Sequence, residues 1–247
     1  MNGYGRGLFG LPPVVKNIIF LNILMYLVTF ASQNVFGRDL IMMLGLYFPK
    51  SEQFMPVQIV THMFMHGGFW HLFFNMYALY IFGQALEHVW GPKRFFIFYI
   101  VCGLGAAFTH ESVIAFQFNS LAHNLSPENL ERVLKEGTTL FNQAQGFTDP
   151  DMLKLQMLLN TPTVGASGAI FGVLLAFGVL FPNTQLMLLF PPIPIRAKYF
   201  VMIYGAIELY LAVTAPGSNI AHAAHLGGML FGYLLIRYWR KTTNTLY

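Results

Sequence analysis

Four polar side chains of the kinds used in acyl transfer stand at or near the starts of three apolar segments. Ser167 opens "SGAIFGVLLAFGVL", His225 lies within "AHAAHLGGMLFG", and His71 and Asn75 lie in "HLFFN". A serine hydroxyl beside a histidine is a nucleophile and its general base, and further hydrogen-bond donors can stabilise the oxyanion of the intermediate. Taken alone, "GASG" around Ser167 equally fits small residues that let membrane helices pack closely.

The composition predicts a membrane protein. Charged residues make up 10% of the 247-residue chain and hydrophobic residues 55%, whereas soluble domains carry about 25% charged residues. Apolar runs of roughly 18–20 residues, enough to cross a hydrocarbon core of about 30 Å, recur along the chain. Because spanning backbone must satisfy its own hydrogen bonds, these runs predict helices. The expected fold is an all-α membrane protein with six transmembrane helices, at Val14–Ala31, His66–Val89, Phe95–Ala115, Val164–Phe181, Lys198–Ala215 and Asn219–Tyr238.

The distribution of basic residues predicts the orientation. Six spans put both termini on one side, and nine of the fourteen Lys and Arg residues lie there: Arg6, Lys16, Lys93, Arg94, Arg196, Lys198, Arg237, Arg240 and Lys241. The positive-inside rule makes that side cytoplasmic, and we expect a bacterial plasma (inner) membrane protein whose site opens to the extracytoplasmic side. Residues 1–13 and 239–247 are then cytoplasmic tails of a six-helix domain over residues 14–238. Beyond the short "RYWRK", the sequence has no basic cluster suited to nucleic acid.

One connection is long and polar. Residues 111–162, between the third and fourth predicted helices, contain two helix start signals. Ser126 and Asp149 can serve as N-caps, and each is followed by a proline, Pro127 and Pro150, suited to the first helical turn. With apolar stripes behind them, these signals predict two short amphipathic helices on the outer membrane surface. A mobile loop is the alternative.

The second, fourth and sixth predicted helices run in the same direction, so their N-terminal ends share the outer face of the membrane. His71 and Asn75, four residues apart, share one face of a helix, and Ser167 and His225 lie at a similar depth. Polar groups inside a membrane usually face a cavity or a partner. Small residues that allow close helix contact follow both Ser167 and His225: Gly168, Gly172, Gly228 and Gly232. Ser167 and His225 are therefore expected to face each other.

At these segments the sequence resembles the rhomboid family of intramembrane serine proteases. The motifs that carry the resemblance are "HLFFN" (His71–Asn75), "GQALEHVWG" (Gly83–Gly91), "GASG" (Gly165–Gly168) and "AHLGGMLFG" (Ala224–Gly232). The resemblance implies a six-helix rhomboid-like bundle and a Ser–His dyad that has no acid, with Ser167 as the nucleophile and His225 as the base. It also implies that His71, Asn75 and the backbone N–H of Ser167 hold the oxyanion, with no metal and no cofactor.

Five other positions bear on this resemblance. Phe171 takes the place of an aromatic residue, usually tyrosine, that packs against the catalytic histidine, and His222 is expected beside the site rather than in the chemistry. Val57 and Gln58 stand where many members have Trp-Arg, which leaves the anchoring of that loop open. Glu208 is an acid inside the fifth predicted helix. Its side chain could pair with a residue of the outer loop or face a water pocket, and the sequence favours neither.

The predicted function is hydrolysis of peptide bonds in or near transmembrane segments of other membrane proteins, within the lipid bilayer. A catalytically inactive relative that binds transmembrane segments is one alternative. A metal transporter is another, and its candidate ligands are His62, His66, His71, His222 and His225. His62 and His66 are spaced for one helix face but lack a nearby cysteine or acid, so no metal site is expected. The sequence predicts neither the individual substrate nor an oligomeric state.

Overall fold

Helices account for most of the described structure. The computed structural model describes residues 10–187, 192–214 and 221–242. Its α-helices are α1 Pro13–Phe36, α2 Leu40–Leu44, α3 Gln58–Thr61, α4 Phe69–Ala78, α5 Gln84–Asn124, α6 Pro127–Asn142, α7 Pro150–Asn160, α8 Ser167–Leu180, α9 Ala197–Thr214 and α10 His222–Thr242. A 3₁₀ turn precedes α4 and a π-helical segment joins α4 to α5: His62–Phe64 and Leu79–Gly83. Two strands that were not predicted form an antiparallel pair: β1 Gln185–Met187 and β2 Pro194–Arg196.

The membrane character of the fold is confirmed. By length and composition, three helical runs among the described residues could cross a membrane: Pro13–Phe36, Phe69–Asn124 and Ala197–Thr214. Helix α8 is a shorter apolar helix. The count of six spans therefore stays a prediction. Parts of the predicted segments lie outside the described residues: 1–9 and 243–247 in the tails, Ala215 in the fifth helix, and Asn219 and Ile220 in the sixth.

The 56-residue run Phe69–Asn124 is bent at Gly91. Gly91 has φ 76° and ψ 166°, a positive-φ conformation that glycine adopts without the steric cost of a Cβ atom. Pro92 follows it and suits the first turn of a new helix. The bend lies in "WGPKR", between the second and third predicted helices. Helix α5 thus has a short arm that ends at Trp90 and a long arm that begins at Pro92.

The long arm of α5 extends further than expected. It ends at Asn124 instead of Ala115, because Phe118 is buried and packs on Phe48, with the ring centroids 5.5 Å apart. This contact joins segments that are far apart along the chain, so the local pattern does not reveal it. The helix consequently takes in residues that were assigned to the polar insertion.

Both helices predicted in the insertion are present, as α6 and α7. Ser126 and Asp149 cap them, because each side-chain oxygen accepts a hydrogen bond from a backbone N–H of the first turn. The buried Gln156 amide in α7 donates to the Gly137 carbonyl in α6 at 3.0 Å. An apolar cluster joins both helices to α5: Phe48, Phe118, Val133, Phe147, Met152, Leu155 and Leu159. This packing is contrary to the mobile-loop alternative.

Glu87 connects α5 to the start of α1. Its buried carboxylate accepts hydrogen bonds from the Val14 N–H at 2.9 Å and the Val15 N–H at 2.7 Å. The first N–H groups of a helix have no partner within the helix, and their partial positive charge favours a carboxylate. The glutamate of "GQALEHVWG" therefore fixes the position of the first helix against the second.

Gln58 anchors the loop that precedes α3. Its buried side chain accepts a hydrogen bond from the Met55 N–H at 3.0 Å. It also donates to the backbone carbonyls of Met43, at 3.1 Å, and Gln53, at 2.9 Å. The loop that lacks the Trp-Arg pair expected from the resemblance is thus held by a buried amide, whereas the neighbouring Val57 side chain is exposed.

Helix α8 is buried along most of its length, between α5 and α10. Its crossing with α10 is very close and depends on glycines. A Cβ atom added to Gly228 would collide with the backbone carbonyl of Gly168, and one added to Gly172 would lie 2.9 Å from the Gly228 carbonyl oxygen. Small residues at such positions let the backbones approach. The N-terminal ends of α8 and α10 consequently lie side by side.

Replacing Gly228 by alanine should destabilise the protein, because the added methyl would overlap backbone atoms of Gly168. Overpacking costs about 1–3 kcal/mol, so we expect a lower Tm in detergent. The matched control is Gly205→Ala in α9. Among the described residues, a methyl group added at Gly205 would have one neighbouring side chain within 4 Å. This is the flexible end of Met229, at 3.2 Å. Equal Tm values for the two variants would contradict the close crossing.

Candidate active site

Ser167 and His225 lie in hydrogen-bond contact. Ser167 is the first residue of α8, and His225 lies in the first turn of α10. The Oγ atom of Ser167 and the Nε2 atom of His225 are 2.9 Å apart, within the normal range for a hydroxyl that donates to an imidazole. The glycine crossing produces this contact, because it brings the two helix starts to one level.

Phe171 covers one face of the His225 ring. It lies one turn after Ser167 in α8, and its ring stacks on the imidazole with centroids 4.1 Å apart and planes 7° apart. Tyr204 of α9 packs against Phe171 in turn, at 5.4 Å between centroids. The structure therefore places Phe171 where it restricts rotation of the imidazole.

Glu208, whose surroundings the sequence left open, lies against two histidines of α10. Its Oε2 atom is 2.7 Å from the Nδ1 atom of His222 and 2.9 Å from the Nδ1 atom of His225. The first contact has hydrogen-bond geometry, whereas the second has the distance of an ion pair without the alignment of a hydrogen bond. The resemblance implied a dyad with no acid, but here a buried carboxylate touches the histidine. An acid inside an apolar helix was the only sequence signal for it.

His71 lies beside Ser167. The residue between their side chains, Gly165, must be glycine. A Cβ atom on Gly165 would be 2.9 Å from the His71 Nε2 atom and 3.5 Å from the Ser167 Oγ atom, so the ring and the hydroxyl border the same space. Gly165 has a φ of 128°, which residues with side chains rarely adopt. Its N–H donates to the His62 carbonyl at 2.9 Å, and the His71 ring packs edge-on against His66. The motif "GASG" contains Gly165 but does not reveal this steric role.

Asn75 lies one turn after His71 in α4 and is buried. Its Nδ2 atom has no hydrogen-bond partner among the residues that the structure describes. An unsatisfied buried donor costs about 1–3 kcal/mol, so one that persists needs an explanation. An acceptor that becomes negative only during a reaction would explain it.

A small cavity adjoins the Ser167 side. Its volume is about 20 Å³, which is room for about one water molecule. Its lining includes Ser167 and several small or polar residues next to the apolar Met63 and Val164: His62, Ala106, Thr163, Gly165, Ala221 and Ala224. The cavity can therefore hold water next to the serine hydroxyl.

The histidines proposed as metal ligands do not converge as one set. In the described ranges, the group that could hold an ion consists of Glu208, His222 and His225, whose donor atoms lie within 4.8 Å of one another. His62 is not part of it, because its Nδ1 atom contacts the Gln58 carbonyl at 2.9 Å. Burial lowers the pKa of His62 below its ordinary value, so this ring is neutral at physiological pH.

Comparison with known proteins decides the family. Residues 53–242 match the Rhomboid domain. The chain belongs to the rhomboid family. The matched range contains every side chain of the site described above, and it confirms the resemblance that the four sequence motifs indicated.

The relatives of this rhomboid include mitochondrial and bacterial proteins. It is 30% identical over 193 residues to Rhomboid protein 1, mitochondrial, of Saccharomyces cerevisiae. The aligned residues make up 76% of this chain and 43% of the yeast protein. The chain is 27% identical over 225 residues to the putative rhomboid protease YdcA of Bacillus subtilis, and the aligned residues make up 90% of this chain and 86% of YdcA. Rhomboid protease AarA of Providencia stuartii is 26% identical over 182 residues, which make up 70% of this chain and 52% of AarA. The chain thus spans less than half of the yeast protein and most of the Bacillus subtilis protein.

Replacing Phe171 by leucine should weaken the positioning of His225. An aromatic pair stabilises by about 0.5–1.5 kcal/mol beyond area burial, and 1.36 kcal/mol corresponds to a factor of about ten in rate. In an assay of transmembrane peptide cleavage, the activity that the resemblance implies, Phe171→Leu should lose roughly tenfold in kcat/KM at an unchanged Tm. Phe171→Tyr should keep its activity, because it keeps the ring.

The matched control for this variant is Phe177→Leu. Phe177 is buried in the same helix but packs on Phe82, with ring centroids 5.0 Å apart. The Phe177→Leu variant should retain the wild-type kcat/KM. Wild-type kinetics in Phe171→Leu would remove Phe171 from the site.

Proposed function

We propose that this rhomboid is an intramembrane serine protease that hydrolyses peptide bonds in or near transmembrane segments of other membrane proteins. The observation that carries the proposal is the 2.9 Å contact between the Ser167 Oγ and His225 Nε2 atoms, among apolar helices. The names of two bacterial relatives, a rhomboid protease and a putative rhomboid protease, support it.

In the proposed reaction His225 acts first as a general base and then as a general acid. Its Nε2 atom takes the proton of the Ser167 hydroxyl while the Oγ atom attacks the scissile carbonyl carbon. The imidazolium then gives this proton to the leaving amine, the C–N bond breaks, and an acyl group remains on Ser167. A water molecule, deprotonated by the same nitrogen, hydrolyses this ester and restores the hydroxyl. The cavity beside Ser167 has room for that water.

We assign the oxyanion site to the backbone N–H of Ser167 and the side chains of His71 and Asn75. Ser167 begins α8, and the first N–H groups of a helix are free and carry partial positive charge. The His71 Nε2 atom borders the same space as the Ser167 hydroxyl, and the Asn75 amide has an unused donor. Donors placed where negative charge develops lower the barrier of acyl transfer. These steps need neither a metal nor a cofactor.

We propose further that six segments cross the membrane, with both termini in the cytoplasm. The bend at Gly91 divides Phe69–Asn124 into two spans, and α8 is short but enclosed by other helices. The domain then extends over residues 14–238, and the insertion helices α6 and α7 lie on the extracytoplasmic side. Basic residues near the span ends support this orientation: Lys16, Lys93, Arg94, Lys198, Arg237, Arg240 and Lys241. We propose a bacterial plasma membrane as the location; two of the relatives named above come from bacteria, and the yeast relative is mitochondrial.

Two other functions would use the chain differently. An inactive relative that binds transmembrane segments does not need the contact between Ser167 and His225. A metal transporter would use the donors of Glu208, His222 and His225 and would not depend on the serine. Dependence of an activity on the Ser167 hydroxyl therefore separates the protease from both alternatives, and sensitivity to a chelator separates the transporter from the inactive relative.

The purified chain in liposomes should cleave a model transmembrane peptide. Ser167→Ala and His225→Ala should each abolish cleavage, because they remove the nucleophile and its base. The matched controls are Ser112→Ala and His88→Ala, at exposed positions whose side chains form hydrogen bonds with backbone carbonyls of their own helix. Both controls should cleave as the wild type does. Full activity in Ser167→Ala, or activity that a chelator abolishes, would contradict the proposal.

A further inference from the structure

We infer that Glu208 is a positioning residue for His225, so that this rhomboid works with a Ser167–His225–Glu208 triad in place of an acid-free dyad. The inference rests on the proposed protease function. In this role the carboxylate holds the imidazole in the tautomer that can accept the serine proton, and it stabilises the imidazolium that follows.

The placement of Glu208 in α9 is specific. Only three positions of this helix are buried, Ala197, Val201 and Glu208, while neighbouring apolar residues such as Leu209 are exposed. The helix therefore turns its only acid toward α10 and its apolar side chains outward. An acid within a membrane helix is expensive unless it is paired, and by default it marks a functional site. Its partners here are two imidazoles, one of which is His225.

The contacts of Glu208 define which nitrogen of His225 carries the proton. The two ring nitrogens face different groups: Nδ1 lies 2.9 Å from the Glu208 carboxylate and Nε2 lies 2.9 Å from the Ser167 hydroxyl. A carboxylate only accepts hydrogen bonds, and a neutral imidazole carries one proton. The proton is therefore held on Nδ1, which leaves Nε2 free to accept the proton of Ser167.

The same contact becomes stronger during the reaction. When Nε2 takes the serine proton, His225 carries a full positive charge next to a negative carboxylate. Phe171 stacks on the imidazole and holds the ring, so the new positive charge stays 2.9 Å from the Glu208 carboxylate oxygen and is attracted to it. An interaction that strengthens only when charge develops lowers the barrier and raises kcat more than it changes KM.

His222 has a supporting part in this arrangement. Its Nδ1 atom donates an aligned hydrogen bond of 2.7 Å to the same oxygen of Glu208. This hydrogen bond fixes the Glu208 carboxylate at the level of His225, which lies one turn after His222 in α10. This contact places His222 behind Glu208 and away from the reacting atoms, so its loss should reduce activity through Glu208.

The test compares Glu208→Gln, Glu208→Asp and the wild type in liposomes, with a transmembrane peptide that the wild type cleaves. The amide of Glu208→Gln keeps the size of the side chain but loses its charge. We expect kcat to fall roughly 10²-fold with little change in KM, and Tm to stay the same. Glu208→Asp should recover part of the loss, because it restores the carboxylate at a slightly longer distance.

The matched control is Glu111→Gln. Glu111 is another acid within a long apolar helix, and its Oε2 atom has no hydrogen-bond partner among the described residues. This variant should keep the wild-type kcat. If Glu208→Gln is unfolded, the ratio of kcat between Glu208→Asp and the wild type, at equal Tm, decides instead, with a fall of at least about tenfold expected.

The outcomes for Glu208 and for the protease are separable. Cleavage that depends on Ser167 establishes the protease by itself. Given that cleavage, an unchanged kcat in folded Glu208→Gln, or no difference between folded Glu208→Asp and the wild type, overturns the role of Glu208 alone. Loss of wild-type cleavage on addition of EDTA, with recovery on addition of zinc, would also overturn it, because Glu208, His222 and His225 would then be metal ligands.

Discussion

The close crossing of α8 and α10 is the contact on which the rest of the site depends. It is possible because the backbone of Gly228 lies directly against the carbonyl of Gly168, where no side chain would fit. The two helices therefore begin side by side, and each places a reactive group at that level, Ser167 on one and His225 on the other. A larger separation would break the 2.9 Å hydrogen bond between the Ser167 hydroxyl and His225.

Polar groups enclosed by apolar helices must find partners, and here their partners are one another. Glu208 lies between two imidazoles, and His225 lies between Glu208 and Ser167. The buried Asn75 amide keeps an unused donor among the described residues, and both ring nitrogens of the buried His66 likewise have no hydrogen-bond partner there. A site of this kind is costly in the resting protein and favourable when charge appears in it. The small cavity beside Ser167 adds room for the water that the proposed hydrolysis consumes.

Much of this arrangement is visible in the sequence, for definite physical reasons. Apolar length predicts the helices, side-chain caps predict α6 and α7, and the glycines after Ser167 and His225 predict which helices touch. What the sequence does not show depends on contacts between distant segments. The end of α5 was missed because Phe118 packs on Phe48, far away along the chain. The partners of Glu208 were missed for the same reason, since they lie on another helix and share no local spacing with it.

The most direct test of the account is chemical labelling of the nucleophile. A fluorophosphonate probe reacts with a serine that a neighbouring base activates, and it needs no knowledge of the substrate. We predict that the full chain in detergent is labelled at Ser167, that Ser167→Ala is not labelled, and that His225→Ala reacts far more slowly at an unchanged Tm. Equal labelling of the wild type and Ser167→Ala, or a folded wild type that resists labelling entirely, would show that Ser167 and His225 do not form an active pair.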